Sequence, residues 1–219
     1  MEGLKNIHDI TRLFEAELCR YTGAPYCVCV DNQSNGLYLS LVYENIKGKE
    51  ITIPDRTYMS VPCEIKNAGG KVKFAPVEGM TLKGAYQLAP TRVWDSALRF
   101  TADMYMPNTI MCLSFTGPYK HFKLVKGGAV LTDDENFYKW LKKAINSGRG
   151  EVSYHVDEFT MTGKNHYMMP MTACIGLHLM PQFYNLDGSK KHNEDLELPY
   201  PDLSKFTIYT ADEELTDNR

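Results

Sequence analysis

Apolar residues recur along this chain in two rhythms. Over residues 11–22, Leu13, Phe14, Ala16, Leu18 and Tyr21 fall at helical spacing and stop at Gly23. Tyr26-Cys27-Val28-Cys29-Val30 is then a short, continuously apolar run, closed by the polar cluster Asp31-Asn32-Gln33-Ser34-Asn35-Gly36. Helical patterns return at 37–43, 61–68 and 134–145, and strand-like runs at 50–54, 71–76, 91–95, 109–115 and 128–132. Strands that are apolar along their whole length and alternate with helices predict a sheet covered on both faces. The expected fold class is α/β, a three-layer, mostly parallel sheet flanked by helices. Beyond Tyr184 the rhythm is lost: residues 187–195 are polar and charged, and Pro199 and Pro201 follow. The expected organisation is one domain over 1–185 and an irregular tail over 186–219 that packs on the surface or exchanges onto a neighbour.

Composition narrows the function classes. The 219 residues carry a formal net charge of −3 and no long Lys/Arg run, so binding to nucleic acid through phosphate neutralisation has no support. The first 18 residues contain acidic side chains and no long apolar stretch, and no window reaches the length of a membrane span. A soluble, cytoplasmic protein is expected. The six cysteines form no CxxC pair and have no histidine at metal-ligand spacing, so they are read as small buried hydrophobes, with no metal site expected.

In sheets of this kind ligands sit where strands end and helices begin, because loop amides and helix N-termini converge there. Four strand ends carry suitable polar residues: Asn32-Gln33-Ser34, Thr57-Tyr58, Asp95, and the pair Ser114 and Lys120. Each has an ordinary structural explanation when taken alone, as an N-cap, a turn former, a packed aromatic or a solvated charge.

Their order and spacing resemble those of the DegT–StrS family of sugar aminotransferases from Phe14 to about Leu179. FEAELCRYTGAPYCVCVDNQSNGLYLSL is similar to that family's opening helix, strand and phosphate loop, with Gln33-Ser34 where a Gly-Thr pair is usual. The segment from Glu50 to Glu78 resembles the next unit, VWDSAL the aspartate motif, and SFTGPYKHFKLVKGGAVLT the lysine motif. GKNHYMMPMTACIGLHL is similar to the segment whose asparagine enters the partner subunit's active site. The resemblance implies the large domain of the type I fold of pyridoxal 5'-phosphate-dependent transferases. It implies Lys120 as the Schiff-base lysine, chosen over Lys123 and Lys126 by its interval to Gly127-Gly128. It implies Asp95 facing the pyridine nitrogen, Tyr58 stacked on the ring and Ala97 in contact with it. Gln33, Ser34 and Ser114 would hold the phosphate, and Asn165 would reach into a second subunit's site, making the active unit a homodimer.

The implied activity is transfer of an amino group from a glutamate-like donor to a keto-sugar or related carbonyl. Tyr167 stands where the family has an arginine, Leu98 where it has His or Gln, and most of the small C-terminal domain has no counterpart in the chain. A decarboxylase or lyase using the same cofactor on an amino acid or modified nucleotide therefore stays open at this stage. So does a non-catalytic dimeric remnant.

Overall fold

The computed structural model describes residues 6, 8–76, 81–82, 84–153 and 155–211. Part of the chain's start and residues 212–219 of the expected tail lie outside the described residues. The elements are α1 (Asp9–Thr22), β1 (Tyr26–Val30), α2 (Gln33–Tyr43), β2 (Glu50–Pro54), α3 (Ser60–Asn67) and β3 (Lys71–Ala75). After these come β4 (Thr81–Leu82), β5 (Ala85–Gln87), β6 (Val93–Asp95), β7 (Ile110–Ser114), β8 (Gly128–Thr132), α4 (Glu135–Ala144) and α5 (Pro170–Leu179).

The continuous apolar runs are explained by two cores, one on each face of the sheet. Cys27, Cys29, Met111, Leu113, Ala129 and Leu131 point to a core shared with Phe14 and Leu18 of α1 and Ala173 of α5. Their neighbours Val28, Val30, Ile110, Cys112 and Val130 point to the opposite core, with Leu37 and Leu41 of α2 and Phe137 and Leu141 of α4. Successive side chains of a strand face opposite ways, so covering both faces removes the usual polar alternation. At the outer edge of β1, the Glu15 carboxylate of α1 accepts the Cys29 N–H at 2.9 Å and pairs with Lys142 Nζ at 3.0 Å. That satisfies an edge donor which would otherwise be free to pair with another strand.

The α/β layering is as expected, whereas the strand directions depart from a mostly parallel sheet. The main sheet has the order β1-β8-β7-β6-β5-β4. Among the described strands only β6–β7 and β2–β3 pair in parallel; β1–β8, β7–β8, β5–β6 and β4–β5 are antiparallel. For β5–β6 the connection is the reason: a parallel crossover needs about a dozen residues, while these two strands are joined only by the turn over 88–92. Sequence periodicity also missed β4, β5 and α5. Helix α2 starts inside the polar cluster, where the Asn32 side chain caps it by accepting the Asn35 N–H at 2.9 Å.

Strands β1, β6 and β7 all run the same way, so Asn32, Asp95 and Ser114 emerge at one edge of the sheet. Gly128, at the start of β8, lets the first turn of α2 lie against that edge. A β-carbon there would sit 2.7 Å from both the Gln33 nitrogen and the Leu113 carbonyl oxygen. Gly128→Ala is expected to cost about 1–3 kcal/mol, since backbone atoms rather than a flexible side chain must move. Urea denaturation of the two proteins checks this, and an unchanged midpoint would refute it.

Candidate active site

Asp95 ends β6 at 3% exposure, and a carboxylate at that depth needs donors for both oxygens. Oδ1 accepts Gln33 Nε2 at 2.5 Å and the Ala97 N–H at 2.8 Å. Oδ2 accepts the Tyr86 hydroxyl at 3.0 Å. Tyr86 spends its proton on Asp95, so the short contact between Thr57 Oγ1 and the Tyr86 oxygen has Thr57 as donor. A relay of hydroxyls thus runs from the loop after β2, through β5, to the carboxylate. Burial pushes the Asp95 pKa up. The Ala97 N–H, Gln33, Tyr86 and the nearby Lys120 charge oppose that rise.

Gln33 is held at its other end, because Nε2 also donates to the Cys112 carbonyl at 3.1 Å. A glycine here could make neither bond. Tyr86 sits opposite Asp95 in the β5–β6 hairpin register.

Lys120 lies in the loop between β7 and β8, at 5% exposure, with Nζ donating to the Ala97 carbonyl oxygen. The loop is fastened by the Phe115 N–H to Gly127 bond at 3.0 Å and the Leu124 N–H to Phe115 bond at 2.7 Å. Beside the lysine, Phe122 is plugged into a cluster with Phe14, Phe100 and Phe115. Burial pushes the ammonium pKa from 10.5 down to about 8, with the Asp95 charge opposing. A displacement of that size is worth roughly 3 kcal/mol. Burying one large aromatic side chain supplies a similar amount, so the Phe122 plug is of the right magnitude to keep the amine inside.

Tyr58, Tyr86, Asp95 and Ala97 line one cavity of about 560 Å³. Tyr58 is 46% exposed and packs edge-on against Tyr200. Gln33 and Lys120 stand behind that wall, bonded to Asp95 and to the Ala97 carbonyl. Ser34 stands in the first turn of α2 and donates to Ser60 Oγ at 2.9 Å, beside helix-end N–H groups that have no intrahelical acceptor. Ser114 is half-buried at the end of β7. Asn165 is not brought to this cavity: it is exposed and bridges Asn146 beyond the end of α4. Sequence reasoning picked out Thr57 with Tyr58 but missed Tyr86 and the segment 196–201, which also lines the cavity. Only the turn residues Ala89-Pro90-Thr91 between two short runs signalled the hairpin that carries Tyr86. Cys63 and Cys174 are exposed, unlike the buried Cys27, Cys29 and Cys112.

Two measurements probe this arrangement. Gln33→Leu is expected to move the Asp95 titration further up, read by carboxyl-carbon NMR, and to cost about 1.5–3 kcal/mol for the lost bond to a charged group. An unmoved titration would show that Gln33 does not hold the carboxylate. For Lys120 the folded pKa is depressed, so the folded state binds fewer protons than the unfolded chain between pH 8 and 10.5, and the lysine's penalty is present below pH 8 and relieved as pH rises through that window. Lys120→Met is therefore expected to gain on the order of 2–3 kcal/mol relative to wild type at pH 7 compared with pH 10.5. Parallel pH–stability curves would contradict it.

The sequence profile of the DegT/DnrJ/EryC1/StrS aminotransferase family matches residues 4–93 and 106–201. No curated protein matches the chain in sequence. Among solved structures the chain is similar to S. venezuelae DesV in complex with a ketimine intermediate, with a TM-score of 0.62 and 19% identity over 80% of this chain and 57% of that one. It is similar to Helicobacter pylori PseC, an aminotransferase involved in the biosynthesis of pseudoaminic acid, with a TM-score of 0.65 and 16% identity over 83% and 58%. It is also similar to the sugar aminotransferase CalS13 of Micromonospora echinospora, with a TM-score of 0.63 and 16% identity over 80% and 62%. At these identities the likeness is one of fold, and the chain spans less than two thirds of the length of each. With the profile covering most of its length, the chain belongs to the DegT/DnrJ/EryC1/StrS aminotransferase family.

Proposed function

We propose that this protein is a pyridoxal 5'-phosphate-dependent aminotransferase that moves an amino group from a glutamate-like donor to a keto-sugar or related carbonyl. The observation that carries the reading is a buried amine, with its pKa lowered to about 8, beside a buried carboxylate at the wall of one cavity. The residues present fit the cofactor. Lys120 is the point of attachment for its aldehyde, and Asp95 is the anion for its ring nitrogen. Tyr58 and Ala97 are the two sides of a slot for its ring. Ser34, the Gln33 amide and Ser114 are the donors for its phosphate at the end of the sheet. When bound, the cofactor supplies an electron sink for the amine-bearing carbon of the substrate.

The chain's own residues do the rest. Lys120, partly neutral near pH 8, would hold the cofactor's aldehyde and, when its amine is free, would hold or move a proton at Nζ. Asp95, held by three donors, favours the protonated ring nitrogen at a fixed position. The apolar wall keeps water from the reacting carbon. Asn165, exposed and away from its own cavity, is offered to the site of a second copy, with the exposed Met169, Met171 and Ile175 nearby as apolar contact surface. The proposed working unit is a homodimer in the cytoplasm. No helix among the described residues is long and apolar enough to cross a membrane.

Purified protein mixed with pyridoxal phosphate is expected to develop a visible absorbance band that glutamate bleaches. Borohydride before glutamate should fix the cofactor on the peptide containing Lys120, and Lys120→Ala should abolish both effects. A protein whose spectrum no amino acid changes, or which is labelled elsewhere, is not this enzyme.

A further inference from the structure

The cavity's outer wall comes from the chain beyond the layered body, and that segment is fastened on both sides of the opening. On one side it follows the loop after β6. Asn193 donates to Thr101 Oγ1 at 2.8 Å and to the Phe100 carbonyl at 2.9 Å, the Leu196 N–H bonds Leu98 at 3.0 Å, and Asp195 pairs with Arg99. His121, next to the lysine, donates to the Glu194 carbonyl at 2.6 Å. On the other side it joins the loop after β2. The Leu203 N–H bonds Asp55 at 2.8 Å, Leu203 is buried, and Asp202 bridges Arg56.

Residues 196–201 cross between these anchors, and all six line the cavity. The crossing ties together the loops that carry Ala97 and Tyr58, the two sides of the slot. Pro199 and Pro201 have no N–H to satisfy and a fixed φ, which suits a stretch that spans an opening without a strand partner. At its centre the Tyr200 ring meets Tyr58 edge-on, with centroids 6.1 Å apart, and its carbonyl accepts Arg56 at 3.3 Å. Burial pushes the Tyr200 hydroxyl pKa up, so at neutral pH it is an uncharged donor.

We infer that residues 196–201 form the substrate-facing wall of the active site, and that this wall selects compact, uncharged carbonyl compounds over nucleotide-linked sugars. The inference rests on the aminotransferase reading above. A cavity of about 560 Å³ lies inside the range of about 300–1,000 Å³ that encloses one drug-sized ligand, and the cofactor occupies part of it. What is left faces Leu196, Leu198 and Pro199, with Tyr200 to donate to a hydroxyl or carbonyl oxygen. A nucleoside diphosphate brings two further negative charges. Among the described lining residues only Arg56 is cationic, its guanidinium bonds the wall itself, and Glu197 adds a negative charge.

The test uses the full chain, with glutamate as donor and two acceptors, a free cyclic polyhydroxy ketone and a UDP-linked 4-keto sugar. The wild type is expected to favour the free ketone in kcat/KM by at least about tenfold. Tyr200→Ala should shrink that ratio about tenfold while borohydride labelling at Lys120 is unchanged. Tyr200→Phe, which keeps the ring, should slow the free ketone alone. Calorimetry of cofactor-free protein with UDP should show no binding up to about 1 mM. Equal or better use of the UDP-linked acceptor, an unchanged ratio in Tyr200→Ala, or micromolar UDP binding would each overturn the inference. Absence of labelling at Lys120 in the wild type counts instead against the aminotransferase reading, and the UDP calorimetry then judges the wall on its own.

Discussion

A carboxylate buried at the end of a strand imposes conditions on everything near it, and Asp95 is that group here. Leaving one of its oxygens without a donor would cost more than any single surface contact returns, so three separate parts of the chain are held to it. Gln33 brings the first turn of α2, Tyr86 brings the β5 hairpin, and Ala97 brings the loop after β6. Ala97 passes the constraint on, since its carbonyl receives the Lys120 amine. Burial disfavours the charge on both Asp95 and Lys120, and each charge favours the other. The pair is therefore poised, and small changes in its surroundings shift it. That is the condition acid–base chemistry near neutral pH needs.

The sheet's strand directions serve the same end. A crossover helix between β5 and β6 would carry β5 in parallel to its neighbour and leave Asp95 opposite a different residue. The short turn over 88–92 makes a hairpin instead, and its register sets Tyr86 directly against Asp95. Gly128 does comparable work at the other end of the edge, where the absence of a β-carbon lets the α2 backbone approach β8. The loop after β7 then needs its own anchor, because it holds a costly amine inside. The aromatic cluster around Phe122 provides one.

Much of this could be read from the residues in order. The runs at 26–30, 110–113 and 128–131 contain no charged or strongly polar side chain, and two-sided burial is what that pattern means. Asp95 and Lys120 stood out as polar residues at strand ends, and the resemblance to the aminotransferase motifs placed them in one site. Tyr86 escaped because a three-residue strand is too short to show a period. The resemblance implies Gln33 only as a phosphate ligand, and the reach of its side chain to Asp95 depends on where β6 ends. Residues 196–201 read in sequence as part of an irregular tail, because the bonds that fasten them, from Leu196 to Leu98 and from Arg56 to Tyr200, join positions about a hundred or more apart, which no local pattern records.

The layers, the covering of the sheet on both faces, the family resemblance and the residue types gathered at the strand ends are all legible in the order of the residues, because they follow from short-range periodicity and from motifs. The strand directions, the three donors on Asp95, the depth of Lys120 and the wall over the cavity emerge only on folding. Each of those depends on contacts between residues distant in sequence, whose partners are chosen by packing and by the need to satisfy buried charge.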